Sequence, residues 1–276
     1  MMFRSTVLTV GGDLRLAAVN GEKSFGKLSA RVREERERVA YLEAEYSYIP
    51  SYRIRDLWDP DADGGNGAYR PCDYGKQAIH LELGSDRSLP VDLVAGWTYE
   101  AYRYDADFVE YDAGASTTSA RAIVRPARGL RIDLGYALRR SSARGYDEDG
   151  ETRSTSDESD TTYDEDEYEL RARWEAGRLW GLSAALRARA SLARRFYLTE
   201  KGAETDPYHA GRDDTYVTLG AGVEARLSEA ATAELFVEWR SREAHSDVVP
   251  DIGETKDYGA GRIGLKLTVE GVHFLD

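Results

Sequence analysis

The sequence predicts an all-β chain: one antiparallel up-and-down β-barrel of about twelve strands, with residues 1–276 as a single domain. Three observations predict it. Apolar and polar residues alternate with a period of two in segment after segment. That period sorts them onto opposite sides of a strand and would scatter them around a helix. The connections between these segments alternate short and long, as in a meander with one trimmed rim and one elaborated rim. The polar positions carry both signs of charge and much arginine.

The elements follow in order. Leu8, Val10, Leu14 and Leu16 share one side of the first segment, with Thr9, Asp13 and Arg15 on the other. Leu28, Ala30 and Val32 then oppose Lys27, Ser29, Arg31 and Arg33. Ala40, Leu42, Ala44, Tyr46 and Tyr48 oppose Glu43 and Glu45. Ile79, Leu81 and Leu83 oppose His80 and Glu82, and Leu93, Ala95, Trp97 and Tyr99 oppose Asp92, Thr98 and Glu100. Ala120, Ala122 and Val124 oppose Arg121 and Arg125, although Ile123 interrupts that alternation. Leu130 to Leu138 alternates with Arg131, Asp133 and Arg139. Tyr168, Leu170, Ala172 and Trp174 oppose Glu169, Arg171 and Arg173. Residues 182–192 are rich in Ala, Leu and Arg, all good helix formers, but their strict alternation reads as strand. Val217 to Ala225, Ala231 to Trp239 and Ile263 to Val269 complete the set. Short connections fall near 33–38, 84–90, 126–129, 175–181 and 228–230. Long ones fall near 50–76, 104–116, 140–166, 196–214 and 242–256, with a brief one at 19–25.

Alternation does not say which face is dry. A soluble sandwich would bury the apolar stripes, whereas a membrane barrel presents them to lipid. Tyr46, Tyr48, Trp97, Tyr99, Tyr136, Tyr168, Trp174, Trp239 and Tyr258 sit toward the ends of the stripes. That placement suits interfacial girdles. A closed barrel of about twelve strands is also too wide to fill with alanine and leucine. The expectation is therefore a transmembrane barrel with a polar interior. Its partners are then outer-membrane lipid and lipopolysaccharide.

Composition excludes several classes. The chain carries 37 Lys+Arg against 50 Asp+Glu, a net charge of −13, which does not suit nucleic-acid binding. No stretch approaches the ~20 apolar residues of a spanning helix. Cys72 is the only cysteine, so no disulfide framework exists. The N-terminal residues lack a signal-peptide pattern. The expectation is a trimmed precursor, the C-terminal barrel of a longer one, or a chain that stays in the cytoplasm.

The final segment, Arg262-Ile263-Gly264-Leu265-Lys266-Leu267-Thr268-Val269, resembles the β-signal of bacterial outer-membrane barrels. Arg262, Gly264, Leu267 and Val269 occupy its polar, glycine and apolar positions. The chain ends Phe274-Leu275-Asp276 rather than on the usual terminal aromatic. The resemblance implies insertion by the barrel-assembly machinery, and with it a location in the bacterial outer membrane.

Arg31, Arg121, Arg131, Arg171, Arg187, Arg189, Arg262 and Lys266 are the candidate pore-lining residues. Guanidinium groups stay charged and grip carboxylates in pairs. In this the chain is similar to the twelve-stranded porins for acidic oligosaccharides. The expected function is passive passage of small anionic solutes or acidic oligosaccharides. The alternatives are an occluded anchor barrel of a surface or secretion assembly, with the same charges paired across strands, and a soluble β protein. Asp59, Asp61 and Asp63 precede Gly64 in the first half of an EF-hand-type loop, and make a candidate calcium site. Arg70 stands where its closing glutamate would be. No other cofactor is expected. The acidic run from Asp147 to Glu167 reads as a solvated, mobile outer loop. His80 lies beside Glu82, and His209 could be drawn to Asp213 or Asp214, but no serine or cysteine is marked as a nucleophile. An enzyme is not expected.

Overall fold

The computed structural model describes residues 4–15, 25–36, 40–59, 67–85, 91–179 and 181–269. Twelve strands form one sheet, each hydrogen-bonded to the next in chain order. They are β1 (Arg4–Arg15), β2 (Phe25–Arg36), β3 (Ala40–Asp59), β4 (Ala68–Ser85), β5 (Val91–Tyr104), β6 (Ala113–Ala127), β7 (Leu130–Ala143), β8 (Tyr163–Leu179), β9 (Leu182–Tyr197), β10 (Arg212–Arg226), β11 (Ala231–Ser246) and β12 (Tyr258–Val269). Every neighbouring pair is antiparallel. Tight turns close one end, as where Gly129 takes φ +75° between β6 and β7, a conformation that favours glycine. Longer connections crowd the other end. They include a 3-10 helix at Ala106–Tyr111 and a short helix α1 at Ile252–Lys256. Among the described residues no helix is long and apolar enough to cross a membrane.

The strands outrun the expected boundaries at the long-connection end. Residues 50–76 are not one loop, because β3 and β4 continue through most of them. The register shifts between Ile49 and Tyr52 and again between Arg53 and Arg55. Pro50 has no N–H to give the ladder, and a bulge absorbs it instead of ending the strand. β2 follows β3 only to Tyr48, and β5 meets β4 only from Tyr74. Pro71 lies beyond that point, on an edge where its missing donor costs nothing. Cys72, Phe108 and Glu110 are buried where the 3-10 helix backs this hairpin.

The two faces differ in the sense opposite to a water-soluble sandwich. On β5, Leu93 is 61% exposed while its neighbours Asp92 and Val94 are 3% and 6% exposed. Leu134, Leu170, Leu219 and Leu235 are likewise exposed, whereas Asp133 and Glu100 are buried. The apolar band runs from Val91 to Tyr99 on β5, Leu130 to Leu138 on β7, Leu182 to Leu192 on β9 and Val217 to Ala225 on β10. A tilted strand needs about 9–11 residues to cross hydrocarbon. Ile123, which interrupted the predicted alternation, turns to the charged face opposite Asp92 and is buried there.

The aromatic residues gather mainly along one margin of the band. Tyr46, Trp97, Tyr99, Tyr136, Tyr168 and Trp239 lie toward the long connections, and Trp174 toward the short turns. Trp97 stacks on Tyr99 at 6.3 Å and donates its indole N–H to Ser116 Oγ at 2.9 Å. Tyr258 departs from the expectation. Its register opposite Arg242 puts it in phase with the charged face. Beyond the aromatic margin the outward positions become charged and exposed, as at Arg103 and Arg140.

Candidate functional site

Candidate pore-lining residues fall in phase on the charged face of β2, β6, β7, β8, β9 and β12. The register sets Arg171 opposite Arg189 and Arg173 opposite Arg187. Like charges directly opposed destabilise a sheet. Carboxylates therefore sit between them. Glu169 bonds Arg171 Nη2 at 2.6 Å and Arg189 Nε at 2.6 Å. Glu224 bonds Arg173 at 3.2 Å and also holds Arg187, which reaches Glu234 at 3.6 Å. Elsewhere Arg31 meets Glu45 and Glu43, Arg121 meets Glu82, Arg131 meets Asp133, and Arg262 meets Glu238 at 3.0 Å. Among the described residues Lys266 alone of the candidates has no ion-pair partner, although Glu234 lies opposite it in the register.

Six of the eight candidates, all but Arg31 and Arg121, line a cavity of about 570 Å³ on the short-turn half of β7 to β12. Its wall carries seven basic side chains, Lys266 among them, and three acidic ones, Asp133, Glu234 and Glu238. Its volume is in the range of small-molecule sites. One ring interrupts the charge. Phe236 lies between Gly222 on β10 and Gly264 on β12. A Cβ on Gly264 would fall 2.5 Å from its ring, so only glycine leaves room for it there. A groove of about 1290 Å³ lies on the apolar face, lined by Leu93, Leu134, Leu170 and Leu219 among others.

At the long-connection end the same face carries denser networks of buried charge and aromatic rings. Asp214 is fully buried and takes both arms of Arg212, at 2.7 and 2.6 Å, with the Tyr216 hydroxyl at 2.9 Å and Arg242 at 3.2 Å. Arg195 donates to Glu165 at 2.8 Å, and its guanidinium lies 4.0 Å from the Tyr163 ring centroid. Arg139 crosses from β7 to Glu100 on β5 at 2.5 Å, and Lys76 joins the same carboxylate. Tyr52, Tyr74, Tyr102 and Tyr104 pack around Lys76 and Cys72.

The acidic connection 144–162 is exposed at Asp147, Glu148 and Asp149, as expected, but its later part is tied down. Asp160 and Ser156 are buried. The Asp160 N–H donates to Asp206 Oδ2 at 2.9 Å, and Lys201 reaches across to the carbonyls of Gly145 and Glu158. Asp206 also accepts from His209 Nδ1 at 2.8 Å. Burial alone would raise the Asp206 carboxyl. His209, the Asp160 N–H and Lys201 outweigh that and hold it below the usual aspartate range.

The remaining candidates separate. His209 pairs with Asp206 rather than with Asp213 or Asp214, and His245 faces Asp213 at 3.3 Å. His80 bonds Thr98 Oγ1 at 2.8 Å and stands 3.9 Å from Glu82. The calcium candidate lies outside the described residues at Asp61 and Asp63 and at the Asp59 side chain. Arg70, in its closing position, is 3.7 Å from Asp107. Among the described residues no three metal-ligating side chains converge. Sequence reasoning missed Phe236 and the arginine–tyrosine stack. Phe236 was detectable as an apolar residue at a polar phase between Glu234 and Glu238, with Gly220, Gly222 and Gly264 in phase on the flanking strands.

No family model and no curated protein matches the sequence. Solved structures with a similar course of chain are outer-membrane proteins. A bacterial polysaccharide outer membrane secretin is 9% identical with a TM-score of 0.42, covering 97% of this chain and 98% of its own. OmpT of Vibrio cholerae, folded in vitro, is 8% identical with a TM-score of 0.42, covering 97% and 96%. Its loop L8 deletion form is 11% identical with a TM-score of 0.42, covering 97% and 98%.

Proposed function

We propose that this chain is a transmembrane β-barrel of a bacterial outer membrane, and that its charged face lines a water-filled path for small anionic solutes. One observation carries the reading: the leucine stripes are exposed over a band of membrane-spanning length, while the charged positions between them turn to a cationic cavity. β1 and β12 each pair on one side only among the described residues, and Val10, Ile263 and Leu265 are about three-quarters exposed. Hydrocarbon cannot satisfy a free strand edge, so in the membrane these two strands pair and close the barrel. An anion entering the path exchanges water for guanidinium donors that carboxylates already hold in place, and for the Lys266 ammonium, unpaired among the described residues.

A second reading, an occluded anchor barrel, is favoured by the buried Asp214–Arg212–Arg242 and Glu100–Arg139 networks that fill the long-connection end. Planar-bilayer recording of the refolded protein separates the two. The channel reading predicts steady conductance with a reversal potential displaced toward the anion in a salt gradient. Absence of conductance at every voltage would overturn it and leave the anchor.

A further inference from the structure

The cavity wall combines three features that an unselective anion path does not need. Phe236 offers a partly exposed ring, among the described residues the one aromatic side chain in a wall of charged and small residues. Gly222 and Gly264 flank it across the ladder, and its ring tip reaches over Gly264, where any side chain would collide with it. Lys266, two residues further along β12, has no counter-ion among the described residues, whereas every candidate arginine shares a carboxylate. Arg262, on the other side of Gly264, has its guanidinium carbon 5.4 Å from the ring centroid and is held by Glu238.

An aromatic face attracts the C–H face of a sugar ring or the edge of another aromatic ring, and such contacts are worth more than the area they bury. A free ammonium is a point charge on a flexible stem, able to meet a carboxylate at several heights. We propose that Phe236 and Lys266 form a subsite for a carboxylate borne on a six-membered ring, with Phe236 stacking the ring and Lys266 taking the charge. The proposal rests on the channel reading for how a solute arrives. The subsite itself needs only the cavity. A simple inorganic anion would use Lys266 and ignore Phe236. A neutral sugar would use Phe236 and leave Lys266 uncompensated.

The test is calorimetric titration of the full chain, refolded in detergent micelles, with D-glucuronate, benzoate and acetate. The expected result is tighter binding of at least one ring carboxylate than of acetate. Glucuronate preference identifies a sugar acid, and benzoate preference an aromatic acid. Phe236→Leu keeps apolar bulk but removes the flat face. It should weaken the preferred ring ligand about two- to twelvefold, the range one aromatic contact spans, and leave acetate unchanged. Lys266→Gln should weaken all three carboxylates. Gly264→Ala, which displaces the ring without replacing it, gives an independent reading if Phe236→Leu does not refold. Equal binding of ring carboxylates and acetate would overturn the subsite, as would a ring preference that survives both variants. The titration needs no conductance. Ring preference without conductance keeps the subsite and removes the channel, whereas conductance without ring preference keeps the channel and removes the subsite.

Discussion

At the long-connection end of the charged face, Arg212 is buried and gives both arms to the fully buried Asp214. At the short-turn end, Arg187 stays substantially exposed while it shares Glu224 and Glu234. Both arginines occupy the same alternating phase of adjacent strands, β10 and β9, so the difference lies in what surrounds them. The rings of Tyr197 and Tyr216 lie against Arg212 and Arg242 at one end. Gly220, Gly222 and Gly264 leave room for water at the other. Charge of one type thus cements the fold where it is buried and matched, and lines an exposed cationic cavity where it is left in excess.

The sharpest way to break this comparison is to remove a charge from each end. Asp214→Ala strands Arg212 and Arg242 without their shared carboxylate, and removing one partner of a buried pair costs about 3–5 kcal/mol. A urea unfolding series in micelles should register that loss. Lys266→Gln should move the same midpoint by no more than about 0.5 kcal/mol, as exposed substitutions do. Equal effects at the two ends would erase the distinction.

Gly264→Ala comes next. The new Cβ meets the Phe236 ring, and overpacking of this kind costs about 1–3 kcal/mol. An unchanged unfolding midpoint would mean that the ring does not lie over Gly264.

The Arg187→Glu, Arg189→Glu double variant should displace the reversal potential toward cations, because both positions border the cavity. Unchanged reversal would remove them from the solute path.

The connections respond to pH. Asp206 has its folded pKa held below the ordinary aspartate value. Its contribution is therefore complete above about pH 4, the unfolded value. That contribution fades as pH falls through the lower folded value. Limited proteolysis between 144 and 211 should accelerate in that acid window, and Asp206→Asn should flatten the response. The smallest effect belongs to Arg140 and Asp164, exposed and 3.8 Å apart. Breaking that pair should cost less than about 1 kcal/mol.

Most of the architecture was legible in the sequence because one dry and one wet face impose a period of two on every strand. Strand order, the short and long rims and the phase of all eight candidate cations followed from it, as did a strand at 182–192, which composition alone would have made a helix and which the structure extends to Tyr197. Two things escaped. Strand ends did, because Pro50 and the polar residues around it look like loop, whereas a bulge and a projecting hairpin accommodate them. So did the division of one charged face into two ends. Pairing of Arg139 with Glu100, or Arg173 with Glu224, skips a strand and depends on side-chain reach across the sheet, which alternation does not encode. The burial of Asp160 and Asp206 escaped for the same reason: an acidic run signals solvent until Lys201 and His209 are brought to it.

What the leucine stripes touch decides whether this sheet is a membrane barrel. Spin labels at successive single cysteines along β9, from Leu186 to Leu192, in a Cys72→Ser chain reconstituted in lipid vesicles, read that contact directly. Labels at Leu186, Ala188, Ala190 and Leu192 should be relaxed by oxygen dissolved in the bilayer. Those at Arg187, Arg189 and Ser191 should respond instead to a water-soluble nickel complex. Uniform access of the nickel complex to every position, or oxygen contact on the arginine side, would contradict the membrane barrel.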